Sequence, residues 1–146
     1  MSLTLSDPFC VDRHRDELRE LVHGHIDILF ANEIEIMSLY EVKSFDEALQ
    51  AVRGRCDIAA LTRSDKGSVL VRGDEVHVID PERISKVVDT TGAGDLYAAG
   101  VLYGLTHGRD LATAGRMGSI AAAEAIGHMG ARPEVPLKDL VKKKLG

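Results

Sequence analysis

Apolar and polar positions follow one another along this chain in blocks with two different periods. Thr4-Leu5-Ser6-Asp7-Pro8 reads as the tail of a strand followed by a turn. Over residues 12–23, Leu18, Leu21 and Val22 recur among charged neighbours, which predicts a short amphipathic helix. Residues 26–31 form a compact apolar run of the buried-strand type. Asn32 then opens a helix through about Tyr40, and Ser44 with Glu47 three residues on carries the capping-box signature of another. A second buried strand is predicted over 57–62. The pattern then changes: 68–72 and 75–79 flank Gly73-Asp74 and predict an antiparallel hairpin. Val87-Val88 reads as a short strand running into Gly92 and Gly94. Segments 94–106 and 110–127, rich in Ala, Leu and Gly, predict two helices. A last one, about 136–144, ends in Lys142-Lys143-Lys144, cations suited to a helix C-terminus. Helices alternating with apolar strands predict an α/β layered fold, mostly parallel, with the hairpin as its antiparallel edge.

Composition narrows the classes. The chain has 146 residues, the size of a single domain, and is 45% hydrophobic and 28% charged. Aromatics make up only 4% with no Trp, so aliphatic side chains and Ala must fill the core. Lys and Arg number 18 against 23 Asp and Glu, a net charge of -5, which argues against nucleic acid as a partner. Uncharged apolar stretches fall short of the roughly 20 residues that span a bilayer, so no membrane partner is expected. Cys10 and Cys56 are too few for a disulfide scaffold and lack metal-ligand spacing, which fits a reducing, cytoplasmic setting. The six histidines show no paired ligand spacing; His23 and His25 around Gly24 read as a solvated turn.

The chemistry concentrates at 88–100. Gly92 and Gly94 leave the backbone amides of 92–95 uncovered at a helix N-terminus, where unpaired N–H groups and the positive end of the macrodipole attract anions. Asp95 stands in the first turn. Three readings compete. One is an ordinary helix start, with glycines for the turn. Another is a dinucleotide fingerprint, but Tyr97 stands where G-x-G-x-x-G needs its third glycine. A Walker A loop fails, because no G-K-[ST] follows. The third makes the amides a cradle for a moving phosphoryl group, with Asp95 as the base that takes a hydroxyl proton.

Asp89-Thr90-Thr91-Gly92-Ala93-Gly94-Asp95-Leu96-Tyr97-Ala98-Ala99-Gly100 resembles the C-terminal signature of the ribokinase-like (PfkB-type) carbohydrate and nucleoside kinases. The resemblance implies a ribokinase-like layered α/β/α fold, ATP and Mg2+ as cofactors, and a small sugar or nucleoside as acceptor. It implies Asp95 as catalytic base and the amides of Gly92, Ala93 and Gly94 as the anion hole for the γ-phosphoryl. It also implies a monovalent cation, K+, beneath the loop, with Asp89 and Thr91 among its ligands. Asn32-Glu33-Ile34-Glu35 is similar to the family's N-x-x-E motif, in which Asn32 and Glu35 would place magnesium and the phosphates, Glu35 through water. The alternative for the pair is a helix cap. Thr62-Arg63-Ser64-Asp65-Lys66-Gly67 is similar to T-x-G-x-x-G, so Thr62, Ser64 (for the first glycine) and Gly67 would line the ATP phosphates and ribose. The alternative is an ordinary strand-to-hairpin loop. The stretch from Ser119 to Pro133 is similar to the family's last motif, with Gly118 and Ser119 against the adenine and Ala125 and Gly130 near the cation. Small residues for close helix packing are the alternative at each.

The resemblance covers nearly all of the chain but only the second half of the family pattern. An early Gly-Gly motif, a sugar-contacting carboxylate and a β-sheet lid have no counterpart here. The expectation is therefore a single C-terminal, nucleotide-binding portion over 1–146, a fragment with weak or no turnover by itself. A divided parallel sheet exposes an edge, so pairing with another copy (a homo-oligomer) or with the missing half is expected. The rivals are a non-catalytic nucleotide-binding or assembly module and a dinucleotide-binding oxidoreductase fragment.

Overall fold

The apolar runs ending at Thr4, Asn32 and Thr62 pair side by side in parallel. In the computed structural model, which describes every residue except 6, 84–86, 89, 91, 128–134 and 146, they form β1 (Ser2–Thr4), β2 (Ile28–Asn32) and β3 (Ile58–Thr62). Leu29 lies opposite Leu3 on one side and Ala59 on the other. β4 (Ser68–Arg72) runs antiparallel to β3, and β5 (Glu75–Ile79) completes the order β1-β2-β3-β4-β5. The two-residue link Gly73-Asp74 forces β4 and β5 into a hairpin, and Gly73 supplies the positive φ of 57° that so tight a turn needs. The expected parallel sheet with an antiparallel edge is therefore present.

The chain divides into two compact units, Met1–Val78 and Ile79–Gly146. In the first, helices α1 (Pro8–Arg13), α2 (Arg15–Gly24), α3 (Glu33–Tyr40) and α4 (Phe45–Val52) join the sheet around a core that includes Val11, Val22, Leu29, Ile36, Leu39, Ala48 and Leu61. The segment expected as a turn is a helix start. The Asp7 side chain accepts from the Cys10 amide at 2.9 Å, and Pro8 takes the first-turn position where its missing N–H costs nothing. The helix expected over 12–23 is two helices interrupted at His14. α2 holds the far end of α3: Arg15 Nε donates to the Ser38 carbonyl at 2.9 Å and Arg19 Nε to that of Leu39 at 2.6 Å. His23 belongs to the last turn of α2 rather than to a loop, and stacks on Tyr40. Asn32 is at once the last residue of β2 and the cap of α3, so no loop separates them.

The second unit contains α5 (Ala93–Thr106), α6 (Leu111–Ile126) and α7 (Leu137–Leu145). α5 and α6 approach closely because glycines face the contact. A Cβ on Gly100 would stand 2.6 Å from the Met117 carbonyl oxygen, and one on Gly118 2.7 Å from Val101 Cγ2. Val87 and Val88 are not a strand; the Val88 N–H donates to the Ile126 carbonyl at 2.8 Å, at the end of α6. Among the described residues, no helix is long and apolar enough to cross a membrane.

Candidate active site

In the first unit, the register of β2 and β3 places Asn32 directly beside Thr62. Two motifs 30 residues apart thus meet at the carboxyl ends of parallel strands, where open α/β sheets bind ligands. Asn32 Oδ1 accepts from the Glu35 amide at 2.8 Å, and Glu35 Oε2 accepts from the Asn32 amide at 2.9 Å. Cap and motif are one object here. Glu35 is buried, with 5% of its surface exposed. Burial raises its pKa above the ordinary 4.5, the Asn32 amide pulls it back, and the Asp7 charge pushes it up again. With one oxygen committed to the cap and little open surface, Glu35 suits a metal through water rather than directly. Magnesium, which keeps several waters, fits that donor better than a caged ion would. Among the described residues no group of three or more His, Cys, Asp or Glu is placed to cage a metal.

After Thr62 the backbone closes on itself. The Arg63 N–H donates to the Gly67 carbonyl at 2.8 Å and the Lys66 N–H to that of Arg63 at 3.0 Å. Ser64, standing where the family pattern has glycine, adopts φ 54°, so the left-handed backbone of a glycine is kept without one. Gly67 has φ 88° and ψ −138°, a conformation only glycine takes without strain. Sequence reasoning missed Arg63 as a participant. Its guanidinium carbon lies 4.1 Å from the centroid of the Phe45 ring, and its Nη2 donates to Glu33 Oε1 at 3.3 Å. No spacing rule connects 33, 45 and 63; only the strand register and the two helix starts bring them together.

In the second unit, Gly92 caps α5 with φ 77° and no side chain caps the helix. Gly94 and Asp95 are exposed in the first turn, and among the described residues their N–H groups have no acceptor. A Cβ at Gly94 would meet nothing within 4 Å. The Ala93 N–H, expected in the anion hole, donates to the Thr90 carbonyl at 3.2 Å. Gly118 is buried against Val101 and Tyr97, the close helix packing weighed as its alternative, and Ser119 beside it is half-buried. Asp89, Thr91 and Gly130, expected at the cation, lie outside the described residues. Ala125 is fully buried. The Val88–Ile126 hydrogen bond joins the segment preceding 89 to the helix end that carries Ala125.

A mixed five-stranded sheet with its motif-bearing strand ends abreast, flanked by helices and finished by a hairpin, is a ribokinase-like α/β fold. Residues 2–138 match the pfkB family carbohydrate kinases, and the chain belongs to that family. That membership removes the oxidoreductase alternative. The chain is 48% identical to a probable sugar kinase from Rhizobium etli, with a TM-score of 0.96 over 99% of this chain and 44% of that one. It is 47% identical to the adenosine kinase of Sinorhizobium meliloti, TM-score 0.95, over 98% of this chain and 44% of that one. An uncharacterized sugar kinase from Archaeoglobus fulgidus is 36% identical over 80% of this chain and 46% of its own length. The chain thus spans less than half the length of these relatives.

Proposed function

We propose that the protein carrying this chain transfers the terminal phosphoryl group of ATP to a hydroxyl of a small sugar or nucleoside, with Asp95 as general base. The observation that carries this reading is the start of α5: a left-handed Gly92, no side-chain cap, open space at Gly94, and a carboxylate in the same turn. Unpaired amides at a helix start hold negative charge, and the Asp95 carboxylate in the same turn is the group proposed to take the hydroxyl proton. In the step proposed, the acceptor oxygen bonds to the γ-phosphorus, the bond to ADP breaks, and the hydroxyl proton passes to Asp95. The amides of the Gly92–Gly94 turn hold the charge on the moving group; that of Ala93 joins them if it leaves Thr90.

Asn32 and Glu35 would hold magnesium through water, and the ion when bound would supply neutralisation of phosphate charge. Thr62, Ser64 and Gly67 line the phosphates and ribose, and Ser119 the base. Asp89, Thr91, Ala125 and Gly130 are the positions proposed for K+, and no step is assigned to it. The names of the relatives, sugar kinase and adenosine kinase, support this acceptor class. We place the protein in the cytoplasm as a homo-oligomer. Because the chain spans under half of those relatives, a non-catalytic nucleotide-binding module is the second reading.

Titration calorimetry and phosphoryl-transfer assays test both. The kinase reading expects binding of magnesium-ADP, no response to NAD, and an unchanged ADP affinity in Asp95→Asn. Wherever turnover is measurable, that substitution should lower it about 10^2- to 10^4-fold, the contribution typical of a general base. Nucleotide binding without turnover in any assembly carrying the chain selects the module. A nucleotide-soaked crystal with its terminal phosphorus remote from 92–95 overturns the reading of Asp95.

A further inference from the structure

The geometry points to Arg63 as a positioning residue of the nucleotide site, one that neutralises Glu33 and ties the 63–67 loop to the helix start bearing Asn32 and Glu35. The inference rests on the nucleotide-site reading above. Arg63 follows Thr62, the register partner of Asn32, and its main chain closes the loop through Gly67 and Lys66. Its side chain reaches the first residues of two helices at once. It stacks on Phe45, which opens α4, and pairs with Glu33, which opens α3. Arg63 and Glu33 are both largely covered, with side chains 27% and 30% exposed, so neither charge is fully screened by water.

Two features argue that packing alone does not explain this arginine. Its Nε is buried without a hydrogen-bond partner, a cost that an apolar side chain of similar length would not carry. The pair also sits at a place where charge has consequences. Glu33 is adjacent to Asn32, and an unpaired carboxylate there would repel the phosphates that Asn32 and Thr62 are proposed to receive. Arg63 cancels that charge while its planar group stays on the Phe45 ring, which a lysine ammonium does less well.

The test is magnesium-ADP affinity of this chain, measured by titration calorimetry at low and high salt, with thermal melts alongside. Arg63→Met should weaken binding roughly five- to tenfold at low salt, less at high salt, because the exposed term is a screened like charge. Glu33→Gln added to that variant should recover most of the loss. Arg63→Lys, which keeps the charge, should fall between wild type and Arg63→Met; it serves as the assay variant if Arg63→Met does not fold. An affinity unchanged in Arg63→Met and Arg63→Lys overturns the inference, and so does a loss that Glu33→Gln leaves in place. A wild-type chain that binds no adenine nucleotide is a different result: the nucleotide-site reading itself falls, and the role of Arg63 with it.

Discussion

Gly92 and Gly94 look interchangeable in the sequence, yet they serve different physical needs. Gly92 is required by its backbone, held at φ 77°, whereas Gly94 sits in helical backbone with empty space where a side chain would go. Gly94→Val should therefore leave the melting temperature within a few degrees of wild type while sharply lowering affinity for magnesium-ADP. Equal affinity in the variant would mean that the space is not used by phosphate. Ser64 is the reverse case: a residue with a Cβ in a left-handed conformation, φ 54°. The left-handed helix region costs an L-residue about 1–2 kcal/mol, part of which glycine returns through its freer unfolded chain. Ser64→Gly should thus raise stability by about 0.5–1 kcal/mol, read from the denaturant midpoint. Both sites were recognisable from residue type and spacing. The sign of φ was not, since it depends on how the loop closes between Arg63 and Gly67.

Elements were legible where local chemistry fixed them. Both capping boxes, Asn32 with Glu35 and Ser44 with Glu47, and the Gly73-Asp74 hairpin form where side chains and turn residues three or fewer positions apart dictate them. The break at His14 was not legible, because neither glycine nor proline marks it and the flanking Arg15 and Arg19 answer to carbonyls at the end of α3. Nor was the loss of the strand at Val87-Val88, whose N–H goes to the end of α6 instead of a sheet. The start of α3 makes a pH prediction. Burial holds the pKa of folded Glu35 above 4.5, so the folded chain binds that proton more tightly than the unfolded chain. The resulting stability is fully present below the unfolded pKa and is lost as pH rises through the folded one. Relative to Glu35→Gln, the wild type should lose stability as pH rises above the ordinary 4.5 of its carboxyl and through the raised folded value, by denaturant midpoint. A difference moving the other way would show that the Asn32 amide outweighs burial.

At the scale of the whole molecule, the fold class was readable because strand and helix periods alternate, and family membership because the motifs keep their order. Strand neighbours were less readable: nothing in the sequence states that 32 and 62 share a register. Among the described residues the sheet ends at β1, a strand of only three residues, and at β5, where Val78 is 71% exposed. Open strand edges recruit further strands. The isolated chain is therefore expected to associate with itself in a concentration-dependent way in sedimentation velocity runs. A single monomeric species across the micromolar range would remove the proposed homo-oligomer.

The direct passage from β2 into α3 through Asn32 leaves no slack at that junction. Each residue gained or lost there would turn the helix by about 100° and carry Glu35 away from its partner. Length changes during divergence should consequently be purged between Phe30 and Ile36, while the Gly73-Asp74 hairpin tip, free of such gearing, absorbs them.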